Sequence, residues 1–325
     1  MITHSGRPRV FTWHIHGSYL FYLSQANLDI YIPVTDDRTE GYVGRGETFP
    51  FGDNVIEVSA TEVKYLELDC IIFQTNKNYL VDQYDILSHE QRQLPRIYLE
   101  HDPPRQHPTD TQHAVNDPDI LLVHVTQFNR LMWDCGGTPC CVIEHGVTDS
   151  GARYTGTIEK GIVVINNLPQ RGRICGFDIF RELRKEVPLD LIGMGTEAYG
   201  IGEVLHPDLP QFVSRYRFFF NPIRYTSLGL AVCEAMMMGM PVVGLATTEM
   251  TTVIRNGMNG YVHTDPANLV RKMKTLLNNY DLASAMGKAA RRTALERFNI
   301  KRFTADWERI VQMMIEKTAD IKTIV

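Results

Sequence analysis

Residues 217–243 read RFFFNPIRYTSLGLAVCEAMMMGMPVV, and this stretch decides how the chain is read. Phe218, Phe219 and Phe220 follow one another without alternation, the pattern of a strand buried on both faces. The residues after them form a loop that ends on Thr226 and Ser227, both good helix caps, and on Gly229, which has no side chain to keep a ligand off the backbone. A helix follows over 229–238, and Pro241, Val242 and Val243 open the next strand. The free N–H groups and positive dipole end at such a helix start favour an anion, for example a diphosphate. Glu234 follows on the same helix among Val232, Cys233 and Ala235, where a carboxylate is costly unless it meets hydroxyls or a cation. An ordinary α/β crossover, with a Met-rich core helix and a solvated Glu234, accounts for the same residues on physics alone.

Outward from this segment, β-branched and aromatic runs recur. In the first half they predict strands at 10–15, 28–32, 55–58, 70–73, 96–100, 120–125 and 140–143. The series restarts at 161–165, 189–192, 216–220, 241–245 and 260–262, with helices at 177–186, 229–238 and 267–278 and a helical tail over 283–317. That is a β-α alternation run twice, an α/β protein of two doubly wound domains. The polar, Gly-rich stretch 146–160 marks the join, giving domains at 1–150 and 151–297 and a closing helical segment at 298–325. Ligands of open α/β sheets bind beyond the carboxyl ends of the strands, so the site is expected in a cleft between those ends.

Length and composition agree. The 325 residues, 44% hydrophobic and 22% charged, suit two soluble domains and exclude a small stapled module. Glycine and proline break every apolar run well short of a membrane span. The start, residues 1–7, has no apolar stretch after a basic one, so a cytoplasmic location is expected. A formal charge of −5 gives no global attraction to nucleic acid, so any phosphate is met locally. The six cysteines read as free thiols. Cys135, Cys140 and Cys141 offer half of a zinc site, but no second Cys or His pair follows at ligand spacing, so no metal is expected there. His14 and His124, inside predicted strands, read as satisfied core histidines.

Ser227-Leu228-Gly229-Leu230, Glu234-Ala235-Met236 and Gly239-Met240-Pro241-Val242-Val243 together resemble the signature of the retaining nucleotide-sugar glycosyltransferases of family 4. That resemblance implies the GT-B architecture, two Rossmann-like domains facing across a cleft, and transfer of a sugar from a nucleoside-diphosphate sugar to an acceptor with retention. It implies that Glu234 binds the donor ribose and that the backbone from Ser227 through Leu228 and Gly229 to Leu230 binds its phosphates. The family's first Glu, eight positions before the second, falls on Thr226, which brings a hydroxyl and no charge. Further similar segments are 142–147, Gly193-Met194-Gly195, 249–262 and 298–311. The family's phosphate-binding Arg falls on Asn167, and its Lys-Gly pair aligns on Arg171-Gly172 or on Cys175-Gly176. Arg171 and Arg173 are the available cations, and an Arg fork suits a diphosphate.

In the first domain the resemblance places a donor-touching loop at Gly17, after the first strand. It places a His-containing segment at 98–108, where His101 is the candidate beside the reacting sugar. Alternative readings of that segment are a turn held by Pro103 and Pro104, or a metal site of His101, Asp102, His107 and His113. The family needs no bound metal or other cofactor. The partners implied are the donor and an acceptor met by first-domain loops, where the aromatic residues of 42–51 read as a surface loop. Peripheral membrane contact and oligomeric state stay open. Other readings are a GT-B protein that binds nucleotide sugar without turnover, motivated by Thr226 and Asn167, and an epimerase or phosphorylase of the same layout.

Overall fold

The computed structural model describes residues 6–324; residues 1–5, on which the reading of the chain's start rests, and residue 325 lie outside the described residues. The chain divides into two units. Unit 1 holds Met1–Glu144 and Ile300–Val325, and unit 2 holds His145–Asn299.

Unit 1 is one sheet of seven strands: β1 (Arg9–Thr12), β2 (Asp29–Val34), β3 (Val55–Ser59), β4 (Cys70–Phe73), β5 (Arg96–Glu100), β6 (Ile120–His124) and β7 (Cys140–Val142). Their order is β3-β2-β1-β4-β5-β6-β7, and every pair is parallel. The central strand β4 is the run Cys-Ile-Ile-Phe, all four residues buried, whereas the edge strand β3 buries only Val55 and then alternates half-buried with exposed positions. Position in the sheet thus follows from hydrophobic pattern, since only a central strand is covered on both faces. Between the strands lie helices α1 (Gly17–Leu23), α2 (Gln83–Ile86) and α3 (Gln127–Met132).

Unit 2 carries β8 (Ile158–Val164), α4 (Leu168–Arg171), α5 (Phe177–Leu183), β9 (Leu189–Ile192), α6 (Leu209–Val213), β10 (Tyr216–Asn221), α7 (Leu230–Met238), β11 (Val242–Leu245), α8 (Met250–Val253), β12 (Gly260–His263), α9 (Pro266–Asn278) and α10 (Tyr280–Arg297). The sheet order is β12-β11-β10-β8-β9, again all parallel. Its central strand is β10, the segment that opens the sequence reading, and all six of its residues are buried. Arg217 sits in that run because its guanidinium is consumed: Nε donates to the Gly156 carbonyl at 2.8 Å and Nη1 to the Leu276 and Leu277 carbonyls.

The helical tail is two helices, α10 in unit 2 and α11 (Ile300–Ile324) in unit 1. Trp307 of α11 is fully buried and donates from Nε1 to the Tyr19 hydroxyl on α1 at 3.1 Å. The stretch expected as a linker is tied down along unit 2: Tyr154 and Thr155 amides donate to Met238 and Ser214, and Arg291 pairs with Asp149 at 2.8 Å. No helix among the described residues is long and apolar enough to cross a membrane. The aromatic stretch expected as a surface loop is instead part of unit 1, with Tyr42 and Phe51 buried and Phe49 stacked on Phe21 at 6.0 Å.

Candidate functional site

Each sheet reverses its winding at one point, β1/β4 in unit 1 and β8/β10 in unit 2, and the strand ends there leave a crevice between diverging connections. In unit 2 the residues past those ends are Asn166 and Asn167 after β8 and the 222–229 loop after β10. Asn166 Oδ1 accepts from the Met194 amide at 3.0 Å, and the Asn167 amide donates to the Met194 carbonyl at 2.7 Å. The Gly193-Met194-Gly195 turn is thereby pinned against the β8 loop. Gly193, at φ +142°, has its Cβ position 2.6 Å from the Ile165 carbonyl oxygen, so no other residue fits there. Asn167 itself is exposed and left-handed at φ 54° as the residue before α4.

Helix α7 starts without a side-chain cap, on Gly229. The caps expected from Thr226 and Ser227 do not form: Thr226 is buried and its hydroxyl donates to the Ser227 carbonyl at 2.9 Å. Gly229 has φ −69°, an ordinary value, and a Cβ there would meet nothing within 4 Å. Neither backbone strain nor crowding by the chain accounts for this glycine. Within the first turn the Val232 amide bonds back to the Gly229 carbonyl at 3.0 Å, and the amides of Leu230 and Ala231 stand before any helical acceptor. Leu228 is buried, and its carbonyl accepts from His145 Nε2 at 2.7 Å. Beyond Leu230, the helix is buried along Val232, Cys233 and Ala235 to Met238 and closes on Gly239 at φ 88°, with the Met240 amide reaching back to the Ala235 carbonyl.

Glu234 lies one turn into α7, half-buried, with Oε1 3.5 Å from Nε2 of His206. A polar neighbour for this carboxylate is thus supplied by the chain, from the segment between β9 and α6. Sequence reading missed His206 because a lone histidine in coil carries no spacing signal. The two candidate arginines part ways. Arg173 pairs with Asp178 at 2.7 Å, and Arg224 reaches the same carboxylate and the Arg173 carbonyl. Arg224, chiefly, then Arg173, hold the Asp178 carboxyl below its ordinary range. Arg171, at the end of α4, is exposed and has no ion-pair partner among the described residues.

In unit 1 the switch point gathers histidines. His101, just past β5, places its ring 4.0 Å from that of His16 and 4.8 Å from that of Tyr19. Its Nε2 lies 3.1 Å from Oε1 of Gln74, which follows β4 and is buried. The Gln74 amide nitrogen donates to the Trp13 carbonyl at 2.7 Å and to Thr12 Oγ1 at 3.0 Å. Thr12 Oγ1 in turn donates to the Ile72 carbonyl. A carbonyl only accepts, so the network turns the Gln74 oxygen toward His101 and assigns the proton to His101 Nε2. Neither Gln74 nor His16 stood out in the sequence. We expect Gln74→Leu to lower turnover by about tenfold while leaving nucleotide affinity unchanged, as judged by separate kcat and Kd measurements.

Gly17 is crowded by the chain itself. A Cβ there would lie 2.4 Å from the Phe49 ring and 3.0 Å from His14 Nε2, so the glycine makes room for the chain's own side chains. His14 lies past the end of β1, with Nδ1 on the Gly44 carbonyl and its pKa lowered by burial. The alternative cluster of His101, Asp102, His107 and His113 is not assembled: His113 Nε2 is 3.0 Å from Glu100, Asp102 pairs with Arg105, and His107 accepts from the Thr109 amide. A cavity of about 380 Å³ beside β12 and α9, lined by Asn256, Tyr261, His263 and Lys272 among others, includes none of the residues above.

Comparisons with known proteins bear on the fold and on part of unit 2. Residues 171–279 match the family model described as glycosyl transferases group 1. No curated protein matches the chain. Among solved structures, it is similar to a sucrose-phosphate synthase from Thermosynechococcus elongatus, with TM-score 0.71 and 13% identity over 96% of this chain and 100% of the other. It is similar to Anabaena HepE in complex with UDP and glucose, with TM-score 0.67 and 14% identity over 94% and 99%. For S. aureus TarM in complex with UDP the values are 0.61 and 15% over 78% of this chain, which spans only 58% of TarM. The fold is GT-B, two parallel sheets of seven and five strands with helices around them.

Proposed function

We propose that the chain transfers a sugar from a nucleoside-diphosphate sugar to an acceptor hydroxyl, with retention, as a family 4 type enzyme working in the cytoplasm. The observation that carries this reading is the start of α7: an uncapped helix end on a glycine that nothing in the chain requires, open to the switch point of unit 2. The amides from Ser227 to Leu230 bind the donor phosphates, Glu234 takes the ribose hydroxyls, and Arg171 supplies the cation. Arg173 is committed to Asp178. Asn167, exposed in the loop after β8, offers an uncharged amide to the leaving phosphate. In unit 1, His101 orients the transferred sugar, its tautomer fixed by Gln74. As the diphosphate leaves, these donors stabilise the charge that develops on it, the work done by a metal in other transferases.

Gly229→Ala is expected to fold with unchanged thermal stability, because the new methyl group has space, and to weaken nucleotide binding by about tenfold through its intrusion at the phosphate position. Equal affinity for the two proteins would remove the phosphates from this place.

The buried hydroxyl of Thr226, turned to a backbone carbonyl, favours a second reading, that of a protein that binds nucleotide sugar without turnover. Release of free nucleotide from a panel of labelled UDP, GDP and ADP sugars separates the two. Nucleotide appearing only with acceptor present supports transfer, and binding with no release by any donor supports the second reading.

A further inference from the structure

His124, Cys135 and Cys140 are separated by the whole β6–α3–β7 connection, yet the parallel pairing of β6 with β7 brings them together in unit 1. His124 ends β6, Cys140 begins β7, and Cys135 lies in the loop that joins α3 to β7. One ligand atom from each lies within 4.8 Å of the other two. Among the described residues no other group of three His, Cys, Asp or Glu side chains converges in this way.

Cys135 Sγ is 3.5 Å from His124 Nε2. Sulfur at about 2.3 Å and nitrogen at about 2.0 Å from a tetrahedral zinc stand roughly 3.5 Å apart, so the spacing already suits two ligands of one ion. The imidazole is fully buried; among the described residues its Nδ1 has no hydrogen-bond partner, and its Nε2 faces the Cys135 sulfur. Burial pushes the Cys135 thiol up to about 12, with Cys140 adding to the effect, and Arg130 is the nearby cation that opposes it. Cys141, the next residue of β7, is outside the group, with Arg309 and Asp306 of α11 among its neighbours.

We propose that His124 Nε2, Cys135 Sγ and Cys140 Sγ bind one soft divalent cation of the zinc type, with water in the fourth position. Two thiolates and an imidazole select such an ion over magnesium or calcium, which take oxygen ligands. On binding, each thiol gives its proton to solvent, and the two thiolate charges neutralise the ion. The ion staples the end of β6, the loop and the start of β7, and it takes no part in sugar transfer. The sequence hid this site because the histidine lies in a strand eleven positions before the first cysteine, at no usual ligand spacing.

The test is titration of the full chain, reduced and stripped of metal, with cobalt(II). The expected result is one cobalt per chain, with the intense visible bands of tetrahedral coordination and a thiolate-to-cobalt charge-transfer band in the near ultraviolet. Cys135→Ser and Cys140→Ser each lose the charge-transfer intensity and weaken binding by at least tenfold, whereas Cys141→Ser keeps both. Zinc displaces the cobalt spectrum. A wild-type chain that shows only the pale spectrum of octahedral cobalt, or bands that persist in both serine variants, overturns the proposal. The wild-type spectrum decides even if a variant fails to fold.

Discussion

Glu234→Ala is expected to weaken binding of a nucleoside diphosphate by roughly 10- to 150-fold, the loss of hydrogen bonds to a charged acceptor worth about 1.5–3 kcal/mol. The carboxylate stands one turn into α7, beyond an uncapped start, with His206 Nε2 at 3.5 Å. On the proposed reading the ribose hydroxyls donate to Glu234, whose carboxylate His206 also meets. If Glu234 served only that ion pair, its removal would change stability by no more than about 1 kcal/mol, since the pair is partly open to solvent, and would leave affinity untouched. Isothermal titration of wild type and variant, with a thermal melt of each, separates the two outcomes. Glu234→Gln keeps one acceptor oxygen and is expected to fall between them.

Trp307→Ala is expected to cost unit 1 about 3–5 kcal/mol, measured as the shift in its urea unfolding transition. The indole is fully buried, packs edge-on to Tyr19 and donates to the Tyr19 hydroxyl. Truncation leaves a cavity and removes the donor from a hydroxyl buried beneath α11. Tyr19 also packs edge-on against His101, so on the proposed function the variant is expected to lose turnover beyond its loss of stability. Trp307→Phe restores most of the packing without the hydrogen bond and is expected to recover about half of the stability. A transition unmoved in Trp307→Ala would mean that α11 does not hold unit 1 together.

Much of the fold is legible in the sequence because a buried parallel strand carries its own signal. Cys70 to Phe73 and Phe218 to Phe220 are continuous apolar runs, and they are the centres of the two sheets. The helical tail divides close to the 297/298 boundary expected from sequence: α10 ends at Arg297 in unit 2 and α11 starts at Ile300 in unit 1. For the site, motif positions such as Gly229 and Glu234 could be read in order along the chain. Their partners could not. His206, Gln74 and Arg224 act through long-range hydrogen bonds and ion pairs, which leave no trace at any fixed spacing. Gly17 shows another gap: a glycine after a strand carries no sign in sequence that the ring of Phe49 lies against it.

The central claim is that unit 2 holds a nucleoside diphosphate at the start of α7. Isothermal titration of the full chain with UDP, GDP and ADP tests it most directly. The account predicts binding of at least one of the three, weakened by Glu234→Ala and by Gly229→Ala while the fold is kept. Binding of none, or affinities equal in all three proteins, would contradict it.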